Sequence, residues 1–423
     1  MNRSLYTLLF HLALPIIFIR LWLRGRQAPA YRGRIAERFG LNLPVFRQKG
    51  IWVHAVSVGE SIAAAPMIRA LMARYPELPM TVTCMTPTGS ERIRALFGDQ
   101  VQHVYLPYDL PWAVGRLVKA LKPNVLIVME TELWPNLVNQ CHKQGVPVAL
   151  ANGRLSERSA KGYARFSKLT APMLKHMSLL AVQTQVEAER FIALGAKPQA
   201  VTVTGSIKFD IQIDPSLIAQ ARTQREQWGA SARPVWIAAS THAGEDEIVL
   251  NAHRALVERF PDALLILVPR HPERFNQVFA LCQQRFNTAR RSQGEVVTAQ
   301  TQVLLGDTMG ELLFMYALSD IALVGGSFVP NGGHNYLEPA ALGMPVLSGP
   351  HVFNFLEISA QLSGAGALRI LEDEKALVRT LNELFAHPDL KRQMGEQGLS
   401  VLKANQGALN RLLADVEAII NRR

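Results

Sequence analysis

The sequence predicts an α/β protein of two domains, each with a parallel β-sheet covered by helices on both faces. Short apolar runs rich in β-branched residues alternate with helical stretches along most of the chain. The chain has 423 residues, which is longer than one typical hydrophobic core, so two domains are expected. Hydrophobic residues make up 48% and charged residues 19%, a balance typical of a globular protein rather than a disordered one.

The strands are predicted from short apolar runs that are bounded by polar or glycine-containing segments. In the first half they are IWVHAV (51–56), MTVTCM (80–85), VQHVYL (101–106), NVLIVME (124–130), PVALAN (147–152), LLAVQ (179–183) and VTVTG (201–205). In the second half they are VWIAAS (235–240), ALLILVP (263–269), VLLGD (303–307), IALVGG (321–326) and PVLSG (345–349). Helices are predicted between them, among them 60–75, 90–98 and 216–228. We expect domains at 35–212 and 213–423, with ligands bound at the carboxyl ends of the strands, in a cleft.

The N-terminal segment combines an apolar run with basic residues. Residues 5–26 read LYTLLFHLALPIIFIRLWLRGR, and the apolar part is marginal for a bilayer span, which needs about 20 apolar residues. The charges follow the apolar run, and Ala28-Pro29-Ala30 is a poor cleavage motif, which disfavours a signal peptide. We expect residues 1–34 to be a retained membrane anchor, either a short span or an interfacial helix. A cleaved signal and a buried core helix are the alternatives.

The positive charge is concentrated in the same region. Residues 1–50 hold nine Lys/Arg and one acidic residue, a net +8 of the +11 carried by the whole chain. The other 373 residues carry 36 basic and 33 acidic groups. A nucleic-acid-binding protein is expected to carry its basic surface on the folded domains, so this distribution argues against nucleic acid as a partner. It favours anionic lipid on the cytoplasmic leaflet.

The cysteines indicate neither a metal site nor a disulfide framework. Cys84, Cys141 and Cys282 are far apart and odd in number, and they lie in apolar or helical contexts. This usage suits a reducing compartment.

The segment 325–351, GGSFVPNGGHNYLEPAALGMPVLSGPH, is the most informative stretch of the chain. A strand, two glycine pairs, a predicted helix start at 335–339 and a following strand form one α/β unit. Its loop can bring bare backbone N–H groups to an anion, and the helix dipole favours a phosphate there. Glu338 in the first helical turn could accept hydrogen bonds from ribose hydroxyls. The alternative is a capping box between Asn335 and Glu338 with no ligand.

Other polar residues follow predicted strands. Glu60 opens a helix after the first strand, where a carboxylate can take a proton or can simply complement the helix dipole. Glu130 and Glu132 end an apolar strand. Lys208 lies near the expected domain boundary, and Arg270 after 263–269 could bind a phosphate through two hydrogen bonds. The helix start at 240–245 is a second candidate anion site.

Many of these motifs, in this order, resemble those of the 3-deoxy-D-manno-octulosonic acid (Kdo) transferase family of lipopolysaccharide synthesis. The resemblance covers nearly the whole chain and includes HAVSVGE, TPTGSER, METELWPN, NGRLS, TGSIKFD, PRHPERF, GDTMGEL, GGHNYLEPAA and GPHVFNF. It implies an inverting glycosyltransferase with the GT-B fold and no metal or other cofactor. It also implies transfer of Kdo from CMP-Kdo to a tetraacylated lipid A precursor (lipid IVA) at the cytoplasmic face of the inner membrane.

Roles for individual residues follow from the same resemblance. Glu60 matches the general base, and Glu130 and Lys208 match residues assigned to transition-state stabilisation. The segments that match CMP-binding positions are Pro269, Arg270, Met309, Gly310, Glu311, Asn335, Tyr336, Leu337 and Glu338. Members of the family add one, two or more Kdo residues with the same motifs, and likeness to the enterobacterial type favours two. The rival interpretations are another GT-B nucleotide-sugar transferase or epimerase, and a membrane-bound nucleotide sensor without catalysis.

Overall fold

The computed structural model describes residues 1–229 and 233–422. The chain forms two compact units, which are residues 1–210 with 406–423 (unit 1) and residues 211–405 (unit 2). The boundary lies two residues from the expected position. The last segment differs from expectation, since residues 406–423 belong to unit 1 and not to the domain predicted at 213–423.

Unit 1 contains a seven-stranded parallel sheet with the order β3-β2-β1-β4-β5-β6-β7. The chain begins in the middle of the sheet, builds one side through β3, and then returns to build the other side from β4. The topological switch point therefore lies between β1 and β4. The strands are β1 Ile51–His54, β2 Met80–Cys84, β3 Gln102–Tyr105, β4 Val125–Met129, β5 Val148–Gly153, β6 Leu179–Val182 and β7 Val201–Val203.

Unit 2 repeats the arrangement with the strand order β10-β11-β9-β8-β12-β13-β14 and a switch point between β8 and β12. Its strands are β8 Val235–Thr241, β9 Leu264–Pro269, β10 Thr288–Arg290, β11 Val303–Leu305, β12 Ile321–Val324, β13 Val346–Ser348 and β14 Leu368–Ile370. The two edge strands, β10 and β14, are absent from the sequence prediction. Both are three residues long and contain an arginine.

The helices lie between the strands. In chain order they are α1 Arg3–Leu12, α2 Leu14–Gln27, α3 Val58–Arg74, α4 Pro87–Phe97, α5 Pro111–Leu121, α6 Pro135–Lys143, α7 Glu157–Ala164, α8 Ser167–Lys175, α9 Gln185–Ala193, α10 Pro215–Gln227, α11 Asp246–Arg259, α12 Phe275–Gln283, α13 Leu312–Ala317, α14 Leu337–Ala341, α15 Leu356–Gly364, α16 Glu374–Ala386, α17 Pro388–Asn405 and α18 Ala408–Ile420. Short 3-10 turns complete the connections, at Pro29–Arg32, Ile35–Phe39, Gly98–Gln100, Pro198–Ala200, Ile207–Phe209, Pro272–Arg274 and Arg291–Gln293.

Each sheet is apolar on both faces, which explains why its strands read as continuous apolar runs. Successive residues of a strand point to opposite faces. In β1, Ile51 and Val53 pack into the core on one face, whereas Trp52 packs into the core on the other. In β8, Trp236 and Ile237 likewise enter different cores.

The N-terminal helices α1 and α2 are assigned to unit 1. Asn136 on α6 hydrogen-bonds the side chains of Arg3 and Thr7, and Phe18 stacks on Phe39 with 4.8 Å between ring centroids. Among the described residues no single helix is long and apolar enough to cross a bilayer. Taken together, α1 and α2 reach the required length and composition, with a bend of 49° between them.

Candidate active site

The first group of predicted site residues lies at the carboxyl ends of strands in unit 1. Glu60 is in the first turn of α3, directly after β1, and Glu130 directly follows β4. These two strands flank the switch point of the sheet, where α/β proteins bind their ligands. The structure thus brings together two residues that are 70 positions apart in the sequence.

Glu60 takes part in the cap of α3. Its Oε2 accepts a hydrogen bond from the Val56 amide at 2.8 Å, and its Oε1 accepts one from the Ser57 hydroxyl at 3.0 Å. Burial raises the pKa of Glu60 to about 7, and the charges of Glu132 and Glu130 act in the same direction. A carboxylate with that pKa can exchange a proton near neutral pH, which an ordinary capping glutamate cannot.

Glu130 and Lys208 form an ion pair with 3.2 Å between Oε1 and Nζ. Glu130 has a backbone φ of +52°, in the left-handed region that non-glycine residues rarely adopt. Such strain is commonly found at functional sites. Burial and the charge of Glu130 raise the pKa of Glu132, whereas the Trp134 indole acts in the opposite direction.

Asn152 near the end of β5 is a site residue that the sequence reasoning did not single out. It is fully buried with a φ of +55°, and its Oδ1 accepts a hydrogen bond from the Ile207 amide at 3.2 Å. Asn152 thus fixes the turn that carries Lys208. The motif NGRLS was its only signal in the sequence.

The second group lies in unit 2, around its own switch point. Arg270 follows β9, and its amide donates to the Thr241 carbonyl at 3.0 Å. The side chain is exposed and forms no ion pair within 4.0 Å among residues 1–229 and 233–422, although its charge acts on the carboxylate of Glu338. Burial is the main cause of the lowered pKa values of His242 and His334, and the charge of Arg270 lowers them further. The pKa of His334 is about 4. Arg270 is therefore a cation available to a bound anion.

Three histidines surround this arginine, and the sequence reasoning missed them as a group. The Nε2 atoms of His242 and His334 lie 2.9 Å apart, and their rings are stacked. His271 packs edge-on against His242 with 5.2 Å between centroids. In the described part of the chain, no group of three or more histidine, cysteine, aspartate or glutamate side chains is placed to hold a metal ion.

The glycine loop after β12 differs from expectation. The predicted bare amides are already satisfied, because the carboxylate of Glu245 accepts hydrogen bonds from Gly326 at 2.7 Å and from Ser327 and Phe328 at 2.9 Å each. Glu245 is 1% exposed and also accepts from the His242 amide. The prediction that these N–H groups face a phosphate is therefore wrong. A buried carboxylate of the protein itself takes that place.

The second glycine pair and the helix that follows agree more closely with prediction. Gly332 and Gly333 have φ values of +87° and +76°, which only glycine adopts readily. The helix α14 starts at Leu337. The Asn335 side chain accepts from the Leu337 amide at 3.1 Å and donates to Glu338 at 3.0 Å, so the local capping alternative is partly realised.

The remaining predicted positions differ in what they can offer a ligand. Burial raises the pKa of Glu338, and the nearby Arg270 opposes this shift. The side chains of Tyr336 and Leu337 are fully buried, so only their backbone atoms can reach a ligand.

Before α13, Met309 is 68% exposed and Glu311 is held by Arg291 at 2.9 Å. Since α13 packs against α14, the segments 309–311 and 335–338 lie at the starts of neighbouring helices. Pro269, the last residue of β9, precedes Arg270.

Comparison with known proteins identifies the family. Residues 33–211 match the family described as 3-Deoxy-D-manno-octulosonic-acid transferase (kdotransferase). A 3-deoxy-D-manno-octulosonic acid transferase of Haemophilus influenzae is 46% identical over 98% of this chain and 97% of its own. The chain belongs to the Kdo transferase family. It is therefore a glycosyltransferase, as the resemblance of its motifs predicted.

Other comparisons agree. A Kdo transferase of Bordetella pertussis is 37% identical over 99% of both chains. Among solved structures, the UDP-GlcNAc 2-epimerase of Neisseria meningitidis bound to UDP-GlcNAc matches 88% of this chain and all of its own, with a TM-score of 0.59 and 14% identity. At that identity the match shows the fold alone, two parallel-sheet α/β domains of the GT-B-like type. Within this Kdo transferase, the roles of the individual site residues remain predictions.

Proposed function

We propose that the chain transfers Kdo from CMP-Kdo to a tetraacylated lipid A precursor, lipid IVA, and that it adds two Kdo residues. Membership of the Kdo transferase family supports the donor sugar and the reaction class. The observation that carries the proposal is the raised pKa of Glu60, about 7, at the switch point of the first sheet. An enzyme that transfers a sugar to a hydroxyl group needs a base of this kind.

The chemistry assigned to these residues is a direct displacement. The Glu60 carboxylate takes the proton of the acceptor hydroxyl as its oxygen bonds to the anomeric carbon of Kdo. The bond from that carbon to the CMP phosphate oxygen breaks, and CMP leaves with the electron pair. The reacting sugar passes through an oxocarbenium-like state, as in glycoside hydrolysis. Glu130 bears the negative charge that suits a developing cation, and Arg270 supplies a positive charge for the leaving phosphate.

The acceptor and the site of action belong to the same proposal. We place the enzyme at the cytoplasmic face of the inner membrane, docked through α1 and α2. Nine large apolar side chains of these helices are between 46% and 67% exposed, and they are Leu5, Leu8, Leu9, Leu12, Ile16, Phe18, Ile19, Trp22 and Leu23. Exposed Arg20, Arg24 and Arg26 accompany them. Such a combination suits an interfacial segment on anionic lipid.

The experiment is a product analysis with purified protein. Wild-type enzyme is incubated with lipid IVA and either CMP-Kdo or a UDP-sugar, and the lipid products are separated by thin-layer chromatography and weighed by mass spectrometry. We expect a product carrying two Kdo residues from CMP-Kdo only. Glu60→Gln is nearly isosteric and should lose about 10²–10⁴-fold in rate while CMP binding is kept. Product from a UDP-sugar would instead indicate another nucleotide-sugar enzyme. A product that carries one Kdo would show that one residue is transferred and not two.

A further inference from the structure

A groove in unit 1 lies beside the candidate catalytic carboxylates and has no part in the mechanism above. Its volume is about 440 Å³, within the range of roughly 300–1,000 Å³ typical of small-ligand sites. The walls are mainly apolar and aromatic, formed by Tyr6, Trp134, Tyr163, Phe166, Leu169 and Met173. Phe166 is 45% exposed, so part of its ring faces solvent. The groove therefore offers apolar surface that the protein leaves uncovered.

One end of the groove is polar and adjoins the site. Thr131 and Glu132 line that end, and Glu130 is close enough to help raise the pKa of Glu132. The Thr131 hydroxyl donates to the carbonyl of Arg154, which fixes the strand-end loop to the segment before α7. A molecule in the groove would thus extend directly from the carboxylates that we assign to catalysis.

The segment that carries the lining residues Tyr163, Phe166, Leu169 and Met173 is basic. The segment 154–175, which includes α7 and α8, contains six exposed cations and one acid, Glu157. The cations are Arg154, Arg158, Lys161, Arg165, Lys168 and Lys175. Of these six cations, only Lys161 forms an ion pair with a described residue, Glu157, at 2.6 Å. Five unpaired cations next to an apolar groove complement a ligand that joins an anionic headgroup to a hydrocarbon chain.

The groove also reaches the first N-terminal helix, α1. Tyr6 belongs to α1 and forms one wall, whereas Leu5, Leu8 and Leu9 of the same helix are exposed. Tyr6 lies against the buried carboxylate of Asp109; burial and that charge raise the pKa of its phenol. The wall is therefore held in place by a specific polar contact. The groove thus shares helix α1 with the exposed apolar side chains that we propose to dock on the membrane.

We propose that this groove binds one acyl chain of the acceptor lipid, and that the cations of 154–175 bind its phosphate. This inference rests on the proposed function, because it gives the acceptor its position. The chain would hold the lipid with its sugar hydroxyl towards Glu60, so the groove sets the preference for acylated acceptors.

The first test measures occupancy without turnover. The probe is a single-chain phosphate monoester lipid with bromine atoms in its acyl chain, since bromine quenches tryptophan fluorescence only at contact. The chain has six tryptophans, so the contribution of Trp134 is obtained as the difference between wild type and Trp134→Phe. Quenching of exposed Trp22 on α2 should be common to both proteins. Beyond it, we expect a saturable component that is present in wild type and absent from Trp134→Phe. Equal quenching in both proteins would place the lipid elsewhere and overturn the proposal.

The second test separates the chain from the sugar. Phe166→Asp puts a charge in the groove without disturbing a buried side chain. It should raise KM for the acylated acceptor by at least about tenfold, since burial of an apolar chain against a carboxylate is unfavourable. KM for the same phosphorylated disaccharide without acyl chains should change less than twofold. The matched control is Ile192→Asp, on α9 outside the groove, where Ile192 is 38% exposed.

The outcomes distinguish the two proposals. If wild type makes no Kdo product, the proposed function fails, while the quenching test still decides whether the groove binds lipid. If wild type is active and Phe166→Asp has unchanged KM for the acylated acceptor, the groove assignment alone fails. Sedimentation that shows a dimer broken by Phe166→Asp would mean that a second copy covers the groove, which also overturns it.

Discussion

The ammonium group of Lys208 lies 3.2 Å from the carboxylate of Glu130. Both side chains are partly exposed, so the pair contributes little to the free energy of unfolding. The pair matters more for the site. The positive charge of Lys208 compensates the negative charge of Glu130, which otherwise raises the pKa of Glu60.

Lys208→Ala should therefore raise the pKa of Glu60 further. The uncompensated charge of Glu130 disfavours ionisation of its neighbour. The ascending limb of kcat/KM against pH should move to higher pH, in addition to any loss in maximal rate. Lys197→Ala is a suitable control, as Lys197 is an exposed lysine of unit 1 that precedes the 3-10 turn leading into the amino end of β7. A loss of rate with an unmoved limb would assign Lys208 to another role.

The wild-type pH profile tests Glu60 itself. A general base must be ionised, and the pKa of Glu60 is raised to about 7, so kcat/KM should rise with pH through about 7. Glu132→Gln removes a neighbouring negative charge and should move the limb to lower pH, opposite to Lys208→Ala. The limb should stay well above the ordinary glutamate value of 4.5, because burial is the main cause of the shift. A wild-type limb near 4.5 would exclude Glu60 as the base.

Arg270→Ala should weaken binding of CMP by about 1.5–3 kcal/mol, the scale of hydrogen bonds to a charged group. Isothermal titration calorimetry measures the change directly. Arg254→Ala serves as the control, since Arg254 is an exposed arginine of unit 2 on α11. Equal CMP affinity in the two variants would show that Arg270 is not part of the donor site.

Glu245→Gln should destabilise the fold rather than weaken binding alone. The carboxylate accepts from four backbone N–H groups, and a buried amide at that position cannot accept from all of them. We expect the free energy of unfolding to fall by about 2–3 kcal/mol, measured by urea denaturation. Glu258→Gln, at an exposed position on α11, should change it by less than about 0.5 kcal/mol. A stability loss equal in both variants would mean that the loop does not depend on Glu245.

Membrane docking can be tested without removing α1, which contacts the body of unit 1 through Asn136. Leu8 and Leu12 are 56% and 66% exposed, so changing both to Asp should leave the fold intact. Co-sedimentation with anionic vesicles should fall strongly, because two charged side chains would enter the interface. The control is Leu356→Asp in unit 2, where the side chain is 63% exposed. Unchanged vesicle binding of the double variant would place docking elsewhere.

Local patterns in the sequence predict the parts of the fold that depend on short-range order. The apolar runs locate the longer strands because each is buried on both faces, as Ile51, Trp52 and Val53 illustrate. They miss β10 and β14, because a three-residue edge strand with an arginine has no comparable run. The segment 406–423 looks like any amphipathic helix, and nothing local in it indicates that it packs on unit 1.

The site residues, too, fall into those that local sequence predicts and those that depend on distant contacts. Glu60, Glu130 and Arg270 were found because each directly follows a strand. Glu245 was not recognised as the partner of the glycine loop, because 81 residues separate it from Gly326. Asn152 was missed for the same reason, since its role is to hold an amide 55 residues later. Contacts between residues so far apart in the sequence depend on the order of the strands in the sheet. No single motif determines that order.

The return of the chain to unit 1 has a consequence for biosynthesis. Asp210, the last residue before unit 2, accepts hydrogen bonds from the amides of Gly407 and Leu409 at 2.6 Å each, and these bonds cap the start of α18. Unit 2 is therefore an uninterrupted insertion, whereas unit 1 is made of two separate segments. On the ribosome, unit 2 can complete its core while unit 1 still lacks Leu412, Leu413 and Val416 from its own. The unit that is translated first cannot complete its core until the last segment of the chain has been made.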